Sequence, residues 1–169
     1  RGGAAPYAGA WRAEGGWARE AAVKRGDHIL VVGDFERGGS AATTVLTRGL
    51  GALGAQATPC VPLRFEEGYA LSQAAITRAC SFGPDFIVTV DCGIACKAEA
   101  AAVVEAGLGL AITDHPEPVD LVPDGVPVAH PQCDAHCPTS PPAGVGGALQ
   151  RVPVLGGRPG PPPPWPAVH

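Results

Sequence analysis

Three short runs of almost uninterrupted apolar residues constrain this chain most: HILVV (His28 to Val32), DFIVTV (Asp85 to Val90) and LGLAIT (Leu108 to Thr113). Each is too short for a helix and too apolar for a strand with one wet face, so each reads as a strand covered on both sides. Between them lie segments with helical spacing. SAATTVLTRGLGAL places Val45, Leu46, Leu50 and Leu53 on one side of a helix, and LSQAAITRAC opens with Ser72 as its N-cap. ACKAEAAAVVEAG is rich in Ala and stops at Gly107, the residue that a helix C-cap favours. AQATPCVP is a weaker strand candidate, and VPVAH (Val126 to His130) supplies a last one. Alternation of this kind predicts an α/β fold, a parallel sheet with helices on both faces. Strands are expected near His28 to Val32, Gln56 to Val61, Phe86 to Val90, Leu110 to Thr113 and Val126 to Ala129.

Composition sets the outer bounds. The chain has 169 residues, 46% of them hydrophobic and 17% charged, enough for one ordinary core. A net charge of −4 argues against gripping nucleic acid by bulk charge, although a local groove stays compatible with it. No apolar run approaches the roughly 18 residues of a membrane span, and the N-terminus has no basic-then-apolar signal pattern, so the expectation is a cytoplasmic chain without a membrane partner. The opening RGGAAPYAGAW, the closing GGRPGPPPPWPAVH and the lack of any Met predict a fragment. Residues 1–19 are expected to be an N-terminal extension, 20–150 the folded domain, and 151–169 a Pro/Gly-rich disordered tail, with an extended polyproline ligand as the sharper alternative.

Each principal strand ends in an acid. Asp34 follows the first, Asp91 the second, and Asp114 with His115 the third, and parallel neighbours would carry all four to one edge. An open α/β sheet binds its ligands at the carboxyl ends of the strands. Carboxylates and an imidazole gathered there suit a divalent cation such as Mn²⁺ or Mg²⁺. Ordinary loop acids and helix N-caps are the bland alternative. Cys92 with Cys96, and Cys133 with Cys137 near His130 and His136, form two C-x3-C pairs that evoke zinc. Their spacing fits a zinc site poorly, and reduced thiols are the expectation.

Five segments in order, VVGDFERGGSAATTVL, VPLRFEEGYALS, IVTVDCGI, AITDHPEP and HPQCDAHCPTSPPAGVGGAL, resemble the DHH phosphoesterase domain of the RecJ single-stranded-DNA exonucleases over roughly residues 20 to 150. The resemblance implies a two-metal phosphodiesterase that removes nucleotides from the 5′ end of single-stranded DNA in repair and recombination. It assigns metal binding to Asp34, Glu36, Asp91 and His115, and catalysis to Asp91, Asp114 and His115. Arg64 and the backbone N–H groups at Gly144 and Gly146 would hold phosphate oxygens; the plain alternatives are an ion pair of Arg64 with Glu66 or Glu67 and a glycine turn before a helix.

The chain departs from that pattern at telling places. Where the family reads D-Y-D-A-D-G, this sequence reads Asp34, Phe35, Glu36, Arg37, Gly38, Gly39. Glu36 keeps a carboxylate on a longer arm, Gly38 offers no ligand, and Pro116 replaces the second His of D-H-H. The family's last acidic ligand and the partner domain that completes its cleft have no counterpart in these residues. The expectation is therefore a RecJ-type nuclease domain, incomplete or catalytically impaired. A non-catalytic DHH-like module that binds nucleic acid or protein is the alternative. A Rossmann-like nucleotide binder is a third, weakened because GDFERGGS lacks the glycine spacing and no acid is placed to hold a ribose.

Overall fold

The computed structural model describes residues 23–62, 72–93, 95–114, 126 and 128–129. Its centre is a five-stranded parallel sheet of β1 (His28–Gly33), β2 (Gln56–Cys60), β3 (Phe86–Val90), β4 (Gly109–Thr113) and β5 (Val128–Ala129), in the order β2-β1-β3-β4-β5. Helices α1 (Arg37–Ala52), α2 (Gln73–Ser81) and α3 (Lys97–Glu105) connect the strands. All five expected strands are present, within two residues of the expected bounds.

Side chains alternate across a strand, so each apolar run supplies two faces. Ile29 and Val31 of β1, with Phe86, Val88 and Val90 of β3, turn to one side and meet Ala42, Leu46 and Leu50 of α1. Leu30 and Val32, with Ile87, Leu110 and Ile112, turn to the other and meet Ile76 and Ala79 of α2 and Ala100 and Val103 of α3. Residues 29–32 are at most 1% exposed. Complete burial of such a side chain contributes about 1.5–3 kcal/mol, which is why the sandwich is read so directly from continuous apolar runs.

The weak signal of β2 has a structural cause. It is an edge strand with residues exposed along it, and an edge tolerates Pro59, whose missing N–H would interrupt a central ladder. At β4, Gly109 pairs with Phe86, and the Phe86 ring lies where a side chain at 109 would stand.

The helix ends follow the expected chemistry in two cases and depart from it in one. Ser72 caps α2, its hydroxyl accepting the Ala75 N–H at 3.1 Å. Replacing it with Ala is expected to lower stability by about 1 kcal/mol, read as a fall in the urea midpoint at unchanged slope. Gly107 ends α3 with φ +79°, the left-handed geometry that favours glycine. The departure is α1, which begins at Arg37, ahead of the SAATTVLTRGLGAL segment that carries its helical spacing. Gly38 and Gly39 lie in its first turn, and the site explains why.

Candidate active site

Chain order and strand order diverge at one point in the sheet. From β1 the chain passes to β2 on one side, then crosses to β3 on the other, so the connections leaving the carboxyl ends of β1 and β3 run to opposite faces of the sheet and leave a crevice between them. Open α/β sheets bind ligands at such a switch point. Asp34 is the first residue beyond β1, and Asp91 the first beyond β3. Asp114 follows β4, the next neighbour, and is only 4% exposed.

Asp34 is held by its own turn. Its Oδ1 accepts the Phe35 N–H at 2.6 Å, and the Ser40 hydroxyl reaches back to the carbonyls of Asp34 and Phe35, at 3.5 and 3.3 Å. Glu36 is the N-cap of α1, with an extended backbone, no capping bond from its side chain, and an exposed position. Helix α1 then passes very close to the end of β1. A Cβ on Gly39 would lie 2.6 Å from the Asp34 carbonyl oxygen and 2.8 Å from its N and Cβ. Glycine is required there by close approach and not by a turn. A Cβ on Gly38, the next residue back, would lie 3.3 Å from Oδ2 of Asp91. The first turn of α1 thus spans the crevice, with Gly39 against Asp34 and Gly38 against Asp91.

Asp91 is the one non-glycine residue with positive φ among the described residues, at +65°. Left-handed geometry costs a residue with a Cβ about 1 kcal/mol or more, and such residues persist where the surroundings hold them. Its N–H donates to the Thr113 carbonyl at 2.9 Å, and its Oδ1 is buried. Cys92, next in the chain, bridges to Thr113 in antiparallel fashion and donates its thiol to the Val32 carbonyl at 3.8 Å.

Burial pushes the Cys92 thiol well above its ordinary range, and the nearby Asp114, Asp34, Cys96 and Asp91 raise it further. The thiol beside these carboxylates is therefore held in its protonated form in the metal-free chain. Cys96 is the N-cap of α3. Cys133, Cys137, His130 and His136 lie outside the described residues.

Of the residues singled out from sequence, the structure brings Asp34, Asp91 and Asp114 to one sheet edge around Cys92, and sets Glu36 at the exposed start of α1. His115, Pro116, Arg64, Gly144 and Gly146 lie outside the described residues. Among the described residues no group of three or more His, Cys, Asp or Glu is arranged to hold a metal ion. No helix among them is long and apolar enough to cross a membrane. Sequence reasoning passed over Thr89 and Thr113, both wholly buried at this edge. Their signal was a Thr two residues before Asp91 and one directly before Asp114.

Comparison with known proteins agrees with the fold. A family profile described as the DHH family, N-terminal domain, matches residues 28–151. The chain belongs to the DHH family. Among DHH relatives, the single-stranded-DNA-specific exonuclease RecJ of Thermus thermophilus is 37% identical over 145 residues, spanning 86% of this chain and 21% of the relative. RecJ of Salmonella typhimurium is 39% identical over 136 residues, spanning 79% of this chain and 24% of the relative. The crystal structure of an exonuclease RecJ bound to manganese matches with a TM-score of 0.75 at 35% identity, over 89% of this chain and 40% of that one. The crystal structure of the Thermus thermophilus RecJ in complex with Mn²⁺ gives 0.69 at 31% identity, over 89% of this chain and 22% of that one. The chain thus spans a quarter or less of the length of these curated relatives. DHH membership also disposes of the third expectation, that the likeness is an accident of a nucleotide-binding fold.

Proposed function

We propose that this chain is the part of a RecJ-like 5′-to-3′ single-stranded-DNA exonuclease that supplies the first carboxylates of its cation site. In this reading it acts on phosphodiester bonds in DNA repair and recombination, in the cytoplasm, with impaired turnover. The observation that carries the reading is the meeting of Asp34 and Asp91 across the β1/β3 switch point, with Asp114 beside them.

The residues fit one divalent cation better than two. Gly38 stands against Asp91 with space measured in a single Cβ contact of 3.3 Å, and it contributes no ligand. Asp34 and Asp91, with Glu36 and His115, would hold one Mn²⁺ or Mg²⁺; a second ion lacks the acid that the family has at position 38. Such a cation, when bound, acidifies water and offsets charge on phosphoryl oxygens. Asp91 fixes where that charge sits, because its backbone is locked by Thr113. Asp114 and His115 complete the catalytic set at the end of β4, and Arg64 with the N–H groups of Gly144 and Gly146 orients the phosphate. The lost ligand at Gly38 also favours a second reading, a DHH module that binds single-stranded DNA or protein without cutting.

Incubation with 5′-labelled single-stranded DNA and Mn²⁺ separates the two. Slow nucleotide release, far below that of an intact RecJ and absent in Asp91→Ala, is the expected result. Retention of DNA without cleavage would favour the binding module, and neither retention nor cleavage would contradict both.

A further inference from the structure

The backbone ladder between β3 and β4 runs in register from Phe86↔Gly109 to Val88↔Ala111, and then changes character. At the next step two threonine hydroxyls enter it. The Thr113 hydroxyl donates to the Thr89 carbonyl at 2.7 Å, and the Thr113 N–H is directed to the Thr89 hydroxyl at 3.4 Å. Two residues beyond Thr89, the Asp91 N–H donates to the Thr113 carbonyl at 2.9 Å, and Asp91 turns to φ +65°. Gly93 follows at φ +109°, and a Cβ there would come within 3.1 Å of the Thr89 hydroxyl. Thr89 and Thr113 are both 0% exposed, so neither hydroxyl is held by solvent.

We propose that Thr113, with Thr89 as its partner, is a positioning residue for Asp91: the hydroxyl-to-carbonyl clasp ends the β3/β4 ladder and fixes the left-handed turn that aims the Asp91 carboxylate at the first turn of α1. Geometry alone selects this pair. A valine at 113 keeps the shape and β-branching of threonine but leaves the buried Thr89 carbonyl without that donor, and a buried polar group that loses its partner is costly. The Asp91 turn, which is strained without support, is the element next to it. A serine at 113 restores the hydroxyl and loses only a methyl. The inference rests on the reading of Asp91 as a cation-binding carboxylate for its functional meaning, but not for its structural content.

The test uses the full 169-residue chain and its Thr113→Val, Thr113→Ser and Thr89→Val variants, with amide hydrogen exchange and Mn²⁺ titration as separate readouts. Thr113→Val is expected to reduce protection of the Asp91 amide at least tenfold while leaving Leu30 and Val32 in β1 unchanged, and to weaken Mn²⁺ binding about tenfold. Thr113→Ser is expected to restore both, and Thr89→Val to give a smaller loss in the same direction. Unchanged protection of Asp91 in Thr113→Val would overturn the proposal, as would lost protection with Mn²⁺ affinity intact. Equal loss at Asp91 and in β1 would overturn it too, since that is general destabilisation. If the unmodified chain binds no Mn²⁺, the functional reading fails, and the exchange measurement still decides the role of Thr113. Should Thr113→Val not fold, Thr89→Val and Thr113→Ser carry the same comparison, and equal protection of Asp91 in both and in the unmodified chain would overturn the proposal.

Discussion

Gly39→Ala is expected to be among the most destabilising single substitutions in this chain, at about 3 kcal/mol, the upper range for overpacking a tight contact. The added methyl would meet the backbone N and carbonyl oxygen and the Cβ of Asp34 at 2.6 to 2.8 Å, and none of those atoms can move without shifting β1 or α1. Gly51→Ala, near the other end of the same helix, is the control. A Cβ there meets nothing within 4 Å, and alanine is favoured over glycine in a helix by about 0.5–1 kcal/mol, so that change is expected to stabilise. Urea denaturation should move the two midpoints in opposite directions. A small loss in Gly39→Ala would mean that α1 does not press on Asp34, and the crevice described above would lose one wall.

Gly38→Asp is expected to act with opposite signs depending on the cation. A Cβ there lies 3.3 Å from a carboxylate oxygen of Asp91, tighter than an ordinary contact, so that side chain must give by a few tenths of an ångström. Without metal, the new carboxylate faces Asp91 and the like charges repel, so the melting temperature should fall. With Mn²⁺ present the same pair becomes a ligand pair, and the melting temperature should rise above that of the unmodified chain. At a cation concentration about a hundred times the dissociation constant, such binding adds about 2.7 kcal/mol to stability. Thermal melts with Mn²⁺ and with chelator, on Gly38→Asp alone and combined with Asp91→Ala, provide the check. The double variant should lose the Mn²⁺-dependent rise. In a chain extended to include the downstream acid and second domain that the family resemblance implies, joining Gly38→Asp with Glu36→Asp and Pro116→His should yield Mn²⁺-dependent nucleotide release from a 5′ end. If Gly38→Asp is insensitive to Mn²⁺, the place beside Asp91 is not a cation position.

The sequence disclosed what local chemistry controls. HILVV and DFIVTV were readable as buried strands because burial on both faces needs an unbroken apolar run, and Ser72 and Gly107 because caps depend on one residue's own preferences. The start of α1 was not readable, because Gly38 and Gly39 look like a turn until Asp34 is known to lie behind them, and that constraint is tertiary. The acids at the strand ends announced a shared edge, given parallel strands. The order β2-β1-β3-β4-β5 did not follow from periodicity, yet it is what makes β1 and β3 neighbours and puts the switch point between Asp34 and Asp91. Thr89 and Thr113 escaped notice for a related reason. Threonine is common in strands, and only the broken ladder shows that these two hydroxyls stand in for backbone groups.

Asp34 and Asp91 are proposed to face one another across the β1/β3 crevice as ligands for a single divalent cation. Calorimetric titration of the purified chain with Mn²⁺, alongside Asp91→Ala and Asp34→Ala, tests it most directly. The expected result is one weakly bound ion per chain, with binding abolished by Asp91→Ala and severely reduced by Asp34→Ala. Binding that survives both substitutions, or no binding in the unmodified chain, would contradict the claim, and two tightly bound ions would show that Gly38 costs the site nothing.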